Sequence, residues 1–496
     1  MYAFLFILVA GLSDPSPEPP ADDESKAVKA VTRLGGLVIR DKTAPGRPVV
    51  AVTFDIPRLD GTFNLSELGA FDELRTVQVI RAEITVAGMK QLATLKKIRT
   101  LQIRHSQVED GCMKELAVMT WLRSLDLEGT QMRDEGAKQL ASLKGLRLLN
   151  LHFCDVTEMG LKWLVDLKEL HILDLSLNLI GGSRGQTLAF PPGLRELDLS
   201  GTRVADADLK GLATLKGLKS LKLSTTQMAG EDMKELAGLI GLETLDISST
   251  RITDKGLIKL ATLRRLRRLD LSSTHVSADG IKELAPFKEL RWLALGSHRT
   301  TCAKLKDLPP FEKLRTLKLG YHKVTDAELK DLPTLKNLRS LNMDGSHVTG
   351  EGMKSLTKFS NLRSLKWYDK NFTGAGLRHL ASIENLQSLS LIYAKLTDAG
   401  LKELSCLEAL QNLDPLYSKV PDAGLKVVAC LKGLQNLQLY DTQVTDVGVK
   451  ELAALGSLRA LCLRNARITD ASLEALATIK GLRELDLSET GVTNVG

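Results

Sequence analysis

A leucine or isoleucine returns every 24 residues through most of this chain, and that spacing limits its fold more than any other feature. It falls at Leu74, Ile98, Leu122, Leu146, Leu170, Leu194, Leu218, Leu242 and Leu266. It continues, without insertion or deletion, at Leu290, Leu314, Leu338, Leu362, Leu386, Leu410, Leu434, Leu458 and Leu482. Within each unit two shorter periods follow one another. Leu194-x-x-Leu197-x-Leu199-x-x-Thr202-x-Val204 reads as a short strand and its turn. Leu209-x-x-Leu212-x-x-Leu215 has the three-residue spacing of a helical face, with Asp206 ahead of it as a cap. A strand–turn–helix unit of this size cannot cover its own apolar face and needs a copy on each side. The starting positions give 17 complete units and the beginning of an eighteenth.

These motifs resemble the leucine-rich-repeat superfamily from about Leu74 to the end of the chain. The recurring pattern seen at Val444-Thr445-Asp446-x-Gly448-x-Lys450-Glu451-Leu452 is similar to large repeat proteins that many bacteria encode and export. It also resembles the repeat tails of eukaryotic F-box proteins, although no F-box-like helical module precedes the repeats. The resemblance implies an α/β leucine-rich-repeat solenoid, a horseshoe with parallel strands on the concave face and helices on the convex face. Leu, Val or Ile at the first, fourth and sixth positions would form the inner wall. The eleventh, sixteenth, nineteenth and twenty-second positions would form the outer one. Thr-Asp pairs at Thr253-Asp254, Thr325-Asp326, Thr397-Asp398, Thr445-Asp446 and Thr469-Asp470 offer cap oxygens worth about 1 kcal/mol each.

A chain of 496 residues would ordinarily divide into several domains, but a solenoid lengthens by stacking and closes no globular core. With 67 basic and 60 acidic side chains its formal charge of +7 is mild, so nucleic acid is a disfavoured partner. Lysines at positions such as Lys90, Lys114, Lys138, Lys162, Lys210, Lys234, Lys282, Lys330, Lys402 and Lys450 form a basic ladder on the helical side, read as a solvated face. Six cysteines (Cys112, Cys154, Cys302, Cys406, Cys430 and Cys462) lack the clustered end-cap pattern of many extracellular repeat domains. Cys406 and Cys430 are one period apart. Neighbouring helices stand about 8–10 Å apart and a bridge needs Cα atoms within about 7 Å, so buried free thiols are expected there rather than a disulfide.

Met1–Ser13 is a compact apolar run matching the core of a signal peptide, though no basic residue leads it. It is too short to span a bilayer, and no later segment is a transmembrane candidate. The expected location is therefore secreted, or periplasmic and cell-envelope, and cytoplasmic if this run is no signal. Residues 14–25, rich in proline and acid, read as a disordered linker. Residues 26–73 read as an N-terminal cap of one helix and two strands, and 74–496 as the repeat domain. Ile180–Gly193, with Gly181-Gly182 and Pro191-Pro192, should replace a repeat helix by loop, and Arg299–Phe311 should do so less completely. The chain stops inside a unit at Asn494-Val495-Gly496, leaving an edge through which it could self-associate.

Reaction chemistry has no recognisable arrangement here. There is no phosphate-cradling glycine loop, His-Glu-x-x-His, CxxC pair or nucleophile elbow, so neither an enzyme nor a cofactor is expected. Two weak metal candidates are His298 with His322 and Cys302, and the fifth-position ladder Asp126, Asp174, Asp198, Asp246 and Asp270. Both read more simply as turn residues and solvated carboxylates.

Tyrosine carries the best functional signal. Apart from Tyr2, every tyrosine (Tyr321, Tyr368, Tyr393, Tyr417 and Tyr440) falls at position seven or eight of its unit. These positions leave the strand on the concave side and define a stripe, begun by Trp292 and interleaved with Lys318, Lys323, His347, Lys366 and Lys395. Units six to nine carry Ser200, Ser224, Ser248 and Ser272 instead. Tyrosine joins a large apolar face to a hydroxyl at low entropic cost, as binding hot spots require. The alternative is that the rings pack on one another along the sheet. Trp367 and Pro415 occupy core positions in the same region, and Pro415 should force a bulge. The expected function is a non-enzymatic scaffold holding a protein or glycan on the concave face of units 10–16. The rivals are an assembly module joined through its C-terminal edge and, from the F-box resemblance alone, a substrate receptor for ubiquitin ligation.

Overall fold

The computed structural model describes residues 22–62, 65–109, 111–182, 187–296, 305–320, 324–418 and 420–495. They fall into two compact units, one running to residue 180 with 189–194, the other comprising 181–188 and 195–496. The division lies in the proline- and glycine-rich stretch, where no helix occurs among the described residues between Asp174 and Glu196. Met1–Ser13 lies outside the described residues.

In the first unit a helix, α1, spans Asp22–Arg33 and so begins inside the stretch read as linker. Asp23 and Glu24 stand in its first turn, where carboxylates meet the positive end of the helix dipole, and Glu24 accepts from Arg40 at 2.7 Å. Strand β1 (Leu37–Arg40) runs antiparallel to β2 (Val49–Asp55), and β2 pairs in parallel with Thr76–Ile80. Val49–Asp55 thus supplies the first rung of the parallel ladder. Each later strand joins the next at a shift of 24, as in Leu101↔Leu125 and Leu149↔Leu173. In the second unit the same register runs from Glu196–Asp198 to Glu484–Asp486, from Leu197↔Leu221 to Leu461↔Leu485.

The core follows the sequence pattern. In the unit from Leu218, the seven predicted wall residues Leu218, Leu221, Leu223, Met228, Met233, Leu236 and Leu239 are all 0% exposed. Burying a side chain of this size contributes about 1.5–3 kcal/mol. The helical side is less uniform than expected. Asp398–Leu404 and Asp422–Val428 are α-helices, whereas Met233–Gly238, Asp279–Leu284 and Leu377–Ser382 are 3₁₀ helices. Apolar residues spaced by three suit a helix with three residues per turn as well as an α-helix.

Most described strands end in a turn whose eighth residue is left-handed, at Phe153 (φ 51°), Ser249 (φ 54°) and Asn465 (φ 55°) among others. The ninth-position threonine locks that turn: Thr202 and Thr250 each donate to the sixth-position carbonyl at 2.6 Å. The Asp ladder has the same purpose. Asp174, Asp198, Asp246 and Asp270 accept the N–H of the residue two places on at 2.9–3.0 Å. Asn150 and Asn342 make the same bond. Among the described residues no cluster of histidine, cysteine and carboxylate could hold a metal ion.

The Thr-Asp pairs divide their work in a way the pattern did not foretell. Thr325, Thr397, Thr445 and Thr469 cap their helices through the hydroxyl, whereas Thr253 makes no such bond. The aspartate instead reaches forward to the next repeat. Asp134 accepts the Thr157 N–H at 2.8 Å and its hydroxyl at 2.6 Å. Asp326 holds Thr349 and Asp422 holds Thr445 in the same way. The glycine three places after that threonine makes room, since a methyl group on Gly352 would meet the Asp326 carboxylate.

Cys406 and Cys430 are free thiols, as expected, but exposed rather than buried. They sit between the buried nineteenth and twenty-second positions, on the outward side of the backbone. Cys112 and Cys154 are the buried ones. No described helix is long and apolar enough to cross a membrane.

Candidate ligand-binding face

Four of the predicted tyrosines form one continuous ladder in the second unit. Tyr368 meets Tyr393 at 5.2 Å between ring centroids, with 71° between the planes. Tyr393 and Tyr417 lie parallel at 4.7 Å and 8°, and Tyr417 meets Tyr440 edge-on at 4.8 Å and 84°. The Arg464 guanidinium then lies 5.5 Å from the Tyr440 ring. Strand spacing sets this geometry, because neighbouring strands stand about 4.8 Å apart and each ring hangs from its own strand end.

The backbone fixes the rings from below. Tyr393 and Tyr417 are left-handed, at φ 58° and 54°, where side chains larger than glycine's are uncommon. Their N–H groups donate to the following turns, Tyr393 to Leu416 O at 2.9 Å and Tyr417 to Tyr440 O at 3.1 Å. Tyr368, Tyr393 and Tyr417 nevertheless stay 36%, 43% and 37% exposed. A hydrogen bond with Tyr440 raises the pKa of the Tyr417 hydroxyl above its ordinary value. Packing along the sheet and exposure to solvent are therefore both present.

Pro415 does not produce the expected bulge. It remains buried in the core, and the ladder from Asn412–Asp414 to the next strand loses its third rung, keeping only Asn412↔Asn436 and Leu413↔Leu437. The equivalent N–H in the following strand, from Leu439 to Cys462 O, is made at 2.8 Å. Proline has none to give. Trp367 is 1% exposed and stacks on Phe372 at 4.7 Å and 21°, an aromatic pair filling one layer of the core.

Trp292 is not in ring contact with this ladder. It stands at the third position of its unit, with the Arg268 guanidinium 3.3 Å and the Lys318 ammonium 5.2 Å from its ring centroid. Arg268 thus lies over the aromatic ring. Burial lowers its pKa, against the pull of Asp270 and Asp246. Lys366 is placed beside Asp344 at 3.6 Å. Tyr321, Lys323, His298, His322 and Cys302 lie outside the described residues. The site residues therefore form two groups, a cation–aromatic cluster around Trp292 and the tyrosine ladder from Tyr368 to Tyr440.

Comparison with known proteins agrees with the repeat geometry. Residues 186–420 match the family model of a leucine-rich repeat region, and 144–204 and 118–141 match two further leucine-rich-repeat models. No curated protein matches the sequence. Among solved structures, the mouse RP105/MD-1 complex is similar at a TM-score of 0.52 and 15% identity, covering 89% of this chain and 87% of that one. An internalin from Listeria monocytogenes has a TM-score of 0.35 at 18% identity, covering 81% of this chain and 94% of its own. A leucine-rich-repeat protein of Leptospira interrogans has 0.40 at 22%, covering 85% and 92%. At these identities the likeness speaks to fold alone. With an unbroken 24-residue register, parallel rungs at that same shift and leucine-rich-repeat models that together match residues 118–141 and 144–420, the chain belongs to the leucine-rich-repeat superfamily.

Proposed function

We propose that this chain is a non-enzymatic binding scaffold, and that the strand-end face of repeats 10–16 holds a protein ligand. The supporting observation is the tyrosine ladder, in which three rings in contact stay more than a third exposed. Buried tyrosine anchors at protein interfaces commonly contribute ~2 kcal/mol or more each. Holding them in place beforehand reduces what binding must order.

A glycan is the weaker reading. Sugar rings stack on open aromatic faces, but Tyr393 and Tyr417 give one face to each other and have a third and fourth ring against them. The edges and hydroxyls that remain suit backbone and side-chain groups of a protein. The cations around Trp292 would meet acidic groups of the same partner. The proposed exported setting rests on Met1–Ser13 in the sequence.

The test is affinity capture from a cell-envelope extract, using the chain beside a variant with Tyr368, Tyr393, Tyr417 and Tyr440 changed to alanine. A protein retained by the first and lost by the second, with circular dichroism unchanged, supports the reading. Equal retention by both removes the ladder from the binding face.

A further inference from the structure

The first unit carries a second, shorter parallel ladder beside its turns, made of Arg58–Leu59, Glu83–Ile84 and Gln107–Val108. Its rungs are regular. Glu83 donates to Pro57 O at 2.9 Å and Thr85 to Leu59 O at 3.0 Å. Gln107 then donates to Ala82 O at 2.9 Å and Glu109 to Ile84 O at 3.1 Å.

Continuing the series would bring the N–H groups of Gln131 and Arg133 to the carbonyls of Ser106 and Val108. That does not happen. Gln131 and Arg133 are left-handed, at φ 49° and 56°, and the Arg133 N–H turns forward to Cys154 O at 3.0 Å. Among the described residues no donor reaches Ser106 O or Val108 O. A backbone rung returns two repeats later and in a shifted register, where Leu179 donates to Val156 O at 3.0 Å. The interruption therefore spans two junctions, and it leaves a strand edge whose Ser106 and Val108 carbonyls accept from no described donor.

A cavity of about 1240 Å³ opens at this edge, with Ser106–Glu109 along one wall and Gln131–Glu135 along the other. Leu179 and Asp155 also line it. Large apolar side chains stand exposed near Leu179: Phe153 and Leu177 at 51% each, with Leu179 itself at 43%. Phe153 and Leu177 hold the left-handed turn position at φ 51° and 54°, which Gly129 fills in the preceding repeat. The walls are acidic on balance, with Glu109, Asp134, Glu135 and Asp155 against Lys114 and Arg133.

We propose that an extended peptide segment bearing basic and apolar side chains docks here as an added parallel strand. Its N–H groups donate to Ser106 O and Val108 O, its apolar side chains cover Leu179 and the exposed residues beside it, and its cations face Glu109 and Asp155. Main-chain hydrogen bonds supply affinity and the alternate side chains selectivity, as in strand addition generally. This site is independent of the tyrosine ladder.

The test uses the full chain and a capped hexapeptide of alternating leucine and lysine, titrated calorimetrically. Two control peptides carry backbone N-methyl groups on alternate residues, one set each, because successive N–H groups of a strand point to opposite sides. Saturable binding that one methylated peptide loses by about tenfold or more, and the other keeps, is expected. Leu179→Ser and Asp155→Asn should each weaken the parent peptide, asparagine being tolerated in the left-handed conformation of Asp155. Tyr393→Ala should leave it unchanged. Equal binding by both methylated peptides, absence of saturation at millimolar peptide, or indifference to Leu179→Ser overturns the proposal. Self-association of the chain that Leu179→Ser abolishes would assign the edge to a second copy and overturn it as well.

Discussion

Replacing Asp134 by alanine should loosen the junction between the third and fourth repeats by about 2 kcal/mol. The carboxylate accepts two bonds from Thr157, at 2.8 Å from its N–H and 2.6 Å from its hydroxyl. Bonds to charged groups contribute about 1.5–3 kcal/mol each. The carboxylate is only half-buried, so water recovers part of that, and about 2 kcal/mol for the pair is a reasonable net. Thr157 also accepts from the Met159 N–H at 3.1 Å, so the same loss frees the start of the helix Glu158–Leu164. Repeat proteins are stabilised by nearest-neighbour junctions, so the effect should be local. Urea unfolding with hydrogen exchange read over residues 157–164 measures it, and Asp134→Asn, which keeps one acceptor, should lose about half as much. A double-mutant cycle with Thr157→Val isolates the pair. A loss below ~0.5 kcal/mol, or no coupling in the cycle, would refute the claim that this aspartate ties two repeats together.

Two further outcomes follow from buried groups. Burial raises the Asp270 pKa, with the Asp246 charge adding to it and hydrogen bonds from Ser272 opposing. A carboxyl whose folded pKa is raised contributes stability below its unfolded pKa and loses it as pH rises through the folded value. Asp270→Asn should therefore be neutral or stabilising at pH 7 and flatten the urea midpoint between pH 3 and 7, the asparagines at 150 and 342 showing that the amide preserves the turn. A marked loss of stability at neutral pH would contradict this. Burial also pushes the thiol pKa of Cys112 up to about 12 and of Cys154 to about 11. Native labelling with a thiol-reactive aromatic disulfide, read by peptide mass spectrometry, should modify Cys406 and Cys430 well before either. Simultaneous labelling of all four would count against the burial assignment.

What was legible in the sequence was whatever repeats at fixed spacing. The 24-residue period set the strand register, seen in Leu197↔Leu221, and the seven core positions, because side-chain direction in a strand or helix follows from local periodicity. The tyrosine column was legible for the same reason: equal positions in adjacent repeats must be neighbours. Other features depended on what the next repeat offers. Asp326 reads as a cap residue in its Thr-Asp pair and becomes a junction residue because Thr349 lies opposite it. Pro415 looks like a bulge and instead costs one rung, because a core with Leu413 and Leu437 in register holds the strand straight. Cys406 and Cys430 turn outward, and the rung missing beside Gln107–Val108 comes from two left-handed residues that no hydrophobic pattern records. Periodicity determines which side chains share a face. Only the assembled backbone decides which polar groups find partners, since each partner comes from a segment some 24 residues away.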